Sequence, residues 1–279
     1  MVNKKQTKRN TKKKPGSTGV AAVEKKTERK IPKEKELFQI DINMKNFDKF
    51  KEMRKEDKEV AGSIKLKCPT GKCKLKKTFL VQGEDQSVDA DLIPNCEIQF
   101  HTHPSYPQPP GGQDLIDYIH SYYKKNKDIQ IDSIIQTVSD ADLNTFSKSL
   151  INGKTHCMFV FAPEGVYVML ENYSYLPILE NHPHEKSIQA ILDNRSDHFL
   201  DTRNDFIRKE MDSLLDKLKK KENKSEAKQK TLLKKFQKDM GRNFVKMMNI
   251  EFSLLNCLYF SWDDKCVKFK INPNFIENN

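Results

Sequence analysis

Polar and apolar positions alternate from Leu37: Phe38, Ile40 and Ile42 mark a short strand by their period of two. Phe47, Phe50 and Met53 then recur at helical spacing before a charged run to Lys58. Glu59 opens a second strand, Glu59-Val60-Ala61-Gly62-Ser63-Ile64, which continues to Leu66. Lys67 to Cys73 reads as a hairpin tip, and Leu75, Phe79 and Val81 lie on the returning strand. Ile98, Gln99 and Phe100 lead as a strand into His101-Thr102-His103, where Pro104 ends it for want of an N–H.

The middle of the chain changes period. Asp114 opens a helix with Leu115, Ile119 and Tyr122 on one stripe, ending near Lys127. Ser133 to Val138 is strand-like, and Asp140 to Leu150 is helical. Two apolar strands, His156–Phe161 and Val166–Leu170, flank a tight Pro163-Glu164-Gly165 turn, the mark of a hairpin. From Glu185 to Met248 the spacing is helical, with stripes at Ile207, Met211, Leu214, Leu218 and at Leu232, Phe236, Met240, Phe244. A charged stretch separates the stripes, so either two antiparallel helices or one long helix is expected. Ile250–Phe260 and Lys265–Ile271 read as a closing β-hairpin around Trp262-Asp263-Asp264.

Charge redraws the first part of this map. Residues 1–35 hold thirteen Lys/Arg against three Glu, so +10 of the chain's net +11 sits there. Such a segment has too little apolar surface to offset its conformational entropy and is expected as a disordered basic tail, residues 1–36. It suits a nuclear localisation signal or salt-sensitive contact with nucleic acid or an acidic partner. No apolar run reaches the length of a membrane span, and the basic N-terminus lacks the apolar stretch of a secretory signal. A cytoplasmic or nuclear protein without membrane contact is expected, not a secreted one. Its six cysteines show no repeated framework and are expected reduced, with Cys68 and Cys73 facing each other across their turn.

The candidate chemistry sits at Ile98 to Asp114. His101 and His103, two apart on a strand, share a face and can converge on one ion. Asp114 follows ten turn-forming residues later. Two imidazoles and a carboxylate are zinc ligands, and three protein ligands leave the fourth tetrahedral position open, as in a catalytic site. Taken singly, each residue has a plainer reading: a buried strand surface for the histidines, a helix N-terminus for Asp114. His156 is expected to be structural.

The combined spacing His-x-His-Pro…Asp resembles the JAMM metalloprotease family, also called MPN+ or JAB. That family's motif reads Glu upstream, His-Ser/Thr-His-Pro, a Ser eight positions after the second His, and Asp three further on. Glu59, in a Glu-x-x-Gly setting, matches the upstream residue. The resemblance implies that Glu59 is the general base and that His101, His103 and Asp114 hold Zn²⁺. Glu97 is a competitor for Glu59, less well placed along its strand. Gly111 departs from the motif, standing where Ser is expected. Backbone N–H groups of Gly111 or Gly112, or the hydroxyls of Ser105 or Thr102, are candidate substitutes. Ser139-Asp140-Ala141-Asp142 repeats the Ser-x-x-Asp tail at another distance, and Asp114 is preferred to Asp142.

The resemblance covers residues 38–175, and its hairpin and Pro-Gly-Gly-Gln-Asp-Leu run are also similar to JAB-domain proteins of large DNA viruses. That setting would place the chain in host-cell cytoplasm or a virion. It implies an α+β (α/β) fold: a JAMM/MPN-like, cytidine-deaminase-like β-sheet flanked by helices over residues 37–178. Residues 179–279 would add a C-terminal helical extension with its hairpin. The activity implied is that of a zinc metalloprotease and isopeptidase acting on ubiquitin or ubiquitin-like conjugates. The alternative is a weak or inactive MPN-type binding module for such partners, carrying a nucleic-acid-binding tail.

Overall fold

The computed structural model describes residues 36–54, 58–68, 73–83, 98–103, 136–151, 155–172, 185–220, 225–252 and 255–272. The N-terminal basic segment and the expected helix from Asp114 lie outside them. The described residues form a mixed α/β structure of eight strands and four α-helices. In chain order these are β1 (Phe38–Asn43), a 3₁₀ turn (Met44–Phe47), α1 (Asp48–Met53), β2 (Val60–Lys67), β3 (Lys74–Gln82) and β4 (Ile98–Thr102). Then come α2 (Asp140–Ile151), β5 (Cys157–Phe161), β6 (Gly165–Glu171), α3 (Glu185–Lys219), α4 (Glu226–Glu251), β7 (Leu255–Ser261) and β8 (Cys266–Ile271).

Six strands make one sheet in the order β3-β2-β4-β5-β6-β7, with β4 and β5 parallel and every other neighbour antiparallel. The parallel step needs a crossover, which α2 supplies. Strands β4, β5 and β6 are buried along their whole length, and β5 and β6 accordingly read as near-continuous apolar runs, whereas β4 buries polar Gln99, His101 and Thr102 as well. Their two faces meet different partners. Ile98, Phe100, Cys157, Phe159, Phe161, Val166 and Val168 join an aromatic core with Phe47 and Phe50 of the 3₁₀ turn and α1. Met158, Val160, Tyr167 and Met169 pack on the other side against Leu143 and Phe146 of α2, Met211 of α3 and Phe244 of α4.

Ile207, Met211 and Leu214 of the first expected stripe and Leu232, Phe236, Met240 and Phe244 of the second turn inward, and two helices form in place of one. The closing hairpin does not form as expected. Helix α4 runs on through Glu251, so Ile250 is helical. Strands β7 and β8 are sequential, yet β7 pairs with β6 while β8 pairs with β1 in a separate two-stranded sheet. Their alternation is strand-like in both cases, and it specifies burial on a face rather than a partner. Cys68 and Cys73 also depart from expectation, being joined as a disulfide. The register that sets Lys67 opposite Lys74 carries the two thiols together across the turn. Among the described residues no helix is long and apolar enough to cross a membrane.

Gly62 shows why β2 tolerates no side chain at that point. A Cβ there would stand 2.1 Å from the Phe79 carbonyl oxygen and 2.9 Å from the Phe100 ring. Gly62→Ala is expected to lose about 1–3 kcal/mol through overpacking. Urea unfolding followed by circular dichroism would measure it.

Candidate metal centre

His101 of β4 and His103, one residue past its end, begin the site. His101 is in register with Val160, whose side chain packs among the helices, so His101 and its i+2 neighbour His103 face the helical layer. The backbone N–H of His103 donates to Phe161 O at 2.8 Å, which extends the parallel ladder one residue past the strand. Its ring Nδ1–H donates to Gln136 O at 2.8 Å. That bond leaves the Nε2 lone pair as the free ligand atom of the neutral ring, the usual outer support of a metal-binding histidine.

The carboxylate arrives from α2. Ser139 caps this helix: its Oγ accepts the Asp142 N–H at 3.1 Å, and its own N–H donates to Asp142 Oδ2 at 2.7 Å. This reciprocal capping box holds the side chain of the third helical residue back over the helix start. There Asp142 Oδ1 is 3.0 Å from His101 Nε2 and Oδ2 is 3.3 Å from His103 Nε2. The two Nε2 atoms are 3.0 Å apart. Ligand atoms about 2.0–2.1 Å from a tetrahedral ion lie roughly 3.3 Å from each other. The group His101, His103 and Asp142 therefore could hold a metal ion, with little adjustment of its donors.

Electrostatics agree with a tightly coupled cluster. Burial acts to lower the pKa of the His103 imidazolium, but the Asp142 carboxylate beside it prevails and raises it to about 9. Burial would raise Asp142, and the two imidazoles overcome that and hold it well below the usual carboxylate range. Glu59 belongs to the same field. Its carboxyl is raised by burial, with His101 and His103 opposing and Asp142 reinforcing the shift. Extending the β2–β4 register from Ala61↔His101 by two residues puts Glu59 level with His103 on the same face.

The structure brings His101 and His103 together and places Glu59 within reach of their charge. Asp114, the expected third ligand, lies outside the described residues, as do Glu97, Ser105, Gly111 and Gly112. Among the described residues the carboxylate that meets the histidines is Asp142. The signal for it was the capping box itself, Ser-x-x-Asp directly before the apolar positions of α2. Residues 136–138, expected to end a strand, carry no strand pairing. Their carbonyls serve the site's surroundings instead: Gln136 O takes His103, and Val138 O accepts from Arg203 Nε of α3 at 3.2 Å. His156, expected as structural, pairs through Nδ1 with Glu171 Oε2 at 2.9 Å.

Substitution distinguishes the two carboxylates. Asp142→Asn is expected to weaken metal binding by more than the ~10–100-fold typical of an outer-shell partner, while Asp114→Asn keeps the ion. Mass spectrometry of native protein would show both. Loading also requires neutral His103, so affinity should rise about tenfold per pH unit until about pH 9 and then level off. Calorimetry in buffers of different ionisation enthalpy would detect the proton released below that pH. Compared with known proteins, the chain matches no family profile, no curated protein and no solved structure.

Proposed function

We propose that the chain is a zinc-dependent metallopeptidase of JAMM type, hydrolysing isopeptide bonds of ubiquitin or ubiquitin-like modifiers. The observation that carries this reading is the placement of Glu59 beside a His-His-Asp group, on the same face and within its electrostatic field. A structural metal site needs no carboxylate standing next to its ligands. A hydrolytic one does, because the attacking water must lose a proton.

Zinc is the ion that suits two imidazoles and one carboxylate, and when bound it supplies a Lewis acid for the scissile carbonyl and makes water more acidic. The protein's own groups have separate tasks. His101, His103 and Asp142 hold the ion, with His103 oriented by Gln136. Glu59 accepts the proton of the attacking water and returns it to the leaving lysine amine. Burial keeps its pKa above that of an ordinary glutamate, nearer the range where a group can both take and release a proton at neutral pH.

Ser139 supports the same reading. It stands three positions before Asp142, the offset that separates Ser and Asp in the family motif. Its Oγ accepts from the Asp142 N–H, which leaves the hydroxyl hydrogen to donate to a developing oxyanion. With Ser139 and Asp142 in these roles, Gly111 is no longer a defect in the site. On this reading the Ser-x-x-Asp pair of the motif stands farther along the sequence, at Ser139 and Asp142.

Wild-type protein is expected to contain one zinc per chain and to cleave a lysine-linked ubiquitin conjugate, with His103→Ala losing both properties. Glu59→Gln should keep the zinc and lose about 10²–10⁴-fold in kcat. Undiminished turnover by Glu59→Gln would remove Glu59 as base, and a wild type without metal would retire the enzyme reading.

A further inference from the structure

The residue between the two histidines has no part in the group just described, since its side chain goes to the opposite face of β4. Thr102 is fully buried, and its Oγ1 accepts the backbone N–H of Val60 at 3.0 Å. The β2–β4 ladder gives Ala61↔His101 as its last pair. Continued by one residue, the register would set Val60 against Thr102, and there the threonine hydroxyl takes the N–H that a strand carbonyl would otherwise receive.

This exchange bears directly on Glu59. The N–H of Val60 and the C=O of Glu59 belong to one planar peptide unit. The C=O end accepts from Gly83 N–H at 2.8 Å, and the N–H end is held by Thr102. A peptide plane held at both ends is restrained from rotating, which narrows the range of directions in which Glu59 leaves the backbone. One grip comes from the hairpin partner of β2. The other comes from the segment that carries both histidine ligands.

We propose that Thr102 is a positioning residue that locks Glu59 in place against the His101–His103–Asp142 group. The inference rests on the reading of Glu59 as the base. The motif resemblance has room for Ser or Thr at this place, and the structure assigns the hydroxyl its work: it ties the base to the ligand strand. Valine has the same shape without the hydroxyl, and serine keeps the hydroxyl without the methyl. The two substitutions therefore separate bonding from packing.

The test uses the full chain, loaded with zinc, in wild-type, Thr102→Val and Thr102→Ser forms. Three quantities are read: zinc per chain, steady-state cleavage of a lysine-linked ubiquitin conjugate, and hydrogen exchange of the Val60 amide by NMR. Thr102→Val is expected to hold zinc normally and keep KM within about twofold, while kcat falls about 10–100-fold, as for a misplaced reacting group. Its Val60 amide should exchange faster than in wild type. Thr102→Ser should restore both the rate and the protection. Unchanged kcat in Thr102→Val, loss of zinc in parallel with rate, or failure of serine to rescue would each overturn the proposal. A zinc-loaded wild type that cleaves nothing would overturn the enzyme reading and the role of Thr102 with it. That failure is recognisable by itself, because Val60 exchange still reports the bond independently of turnover.

Discussion

The site depends on bringing a helix start onto a strand end. Two imidazoles at the end of β4 are met by a carboxylate that comes from the helical layer packed against them. Helix α2 delivers it because Leu143, Phe146 and Leu150 anchor the helix among Met158, Val160 and Met169 of the sheet. The first turn is then left at the height of the histidines. Without the apolar contact the capping box would hold Asp142 in position relative to α2 only, not relative to the sheet. Without the capping box the packed helix would present a freely rotating carboxylate.

Support continues outward on both faces. The β5–β6 turn, which directly follows the Phe161 carbonyl that receives His103, is held by donors in and just after β7. Tyr259 OH donates to Glu164 O at 2.6 Å, and Trp262 Nε1 donates to Ala162 O at 3.0 Å. On the aromatic side Phe161 stacks on Phe50 with ring centroids 4.5 Å apart. Helix α3 contributes Arg203, which clamps Thr137 and Val138 just before the cap. Residues far along the sequence are therefore part of the frame around the His101–His103–Asp142 group.

What could be read from the sequence was whatever is local. His101 and His103 are legible because strand geometry alone puts i and i+2 together, and Glu59 is legible because it opens an apolar strand with Gly62 behind it. Helices α3 and α4 announced themselves by their stripes. The meeting of Asp142 with the histidines is harder to read, since 38 residues separate it from His103, while Asp114, preferred on motif spacing, lies outside the described residues. The last two strands were seen as strands but given the wrong partners, because alternation reports a buried face and is silent about which edge is free. Cys68 and Cys73 were seen as neighbours, and the hairpin register then made them close enough to bond.

The capping box has a consequence for how this architecture can vary. Since the carboxylate is carried by its own helix cap, the geometry of the ligand set is independent of the length of chain between His103 and Ser139. That connection spans 35 residues in this protein, against seven to the serine in the motif it resembles. The number of residues in that connection can therefore differ while the cap still turns Asp142 toward the two imidazoles, which makes sequence length a poor guide to which carboxylate meets them.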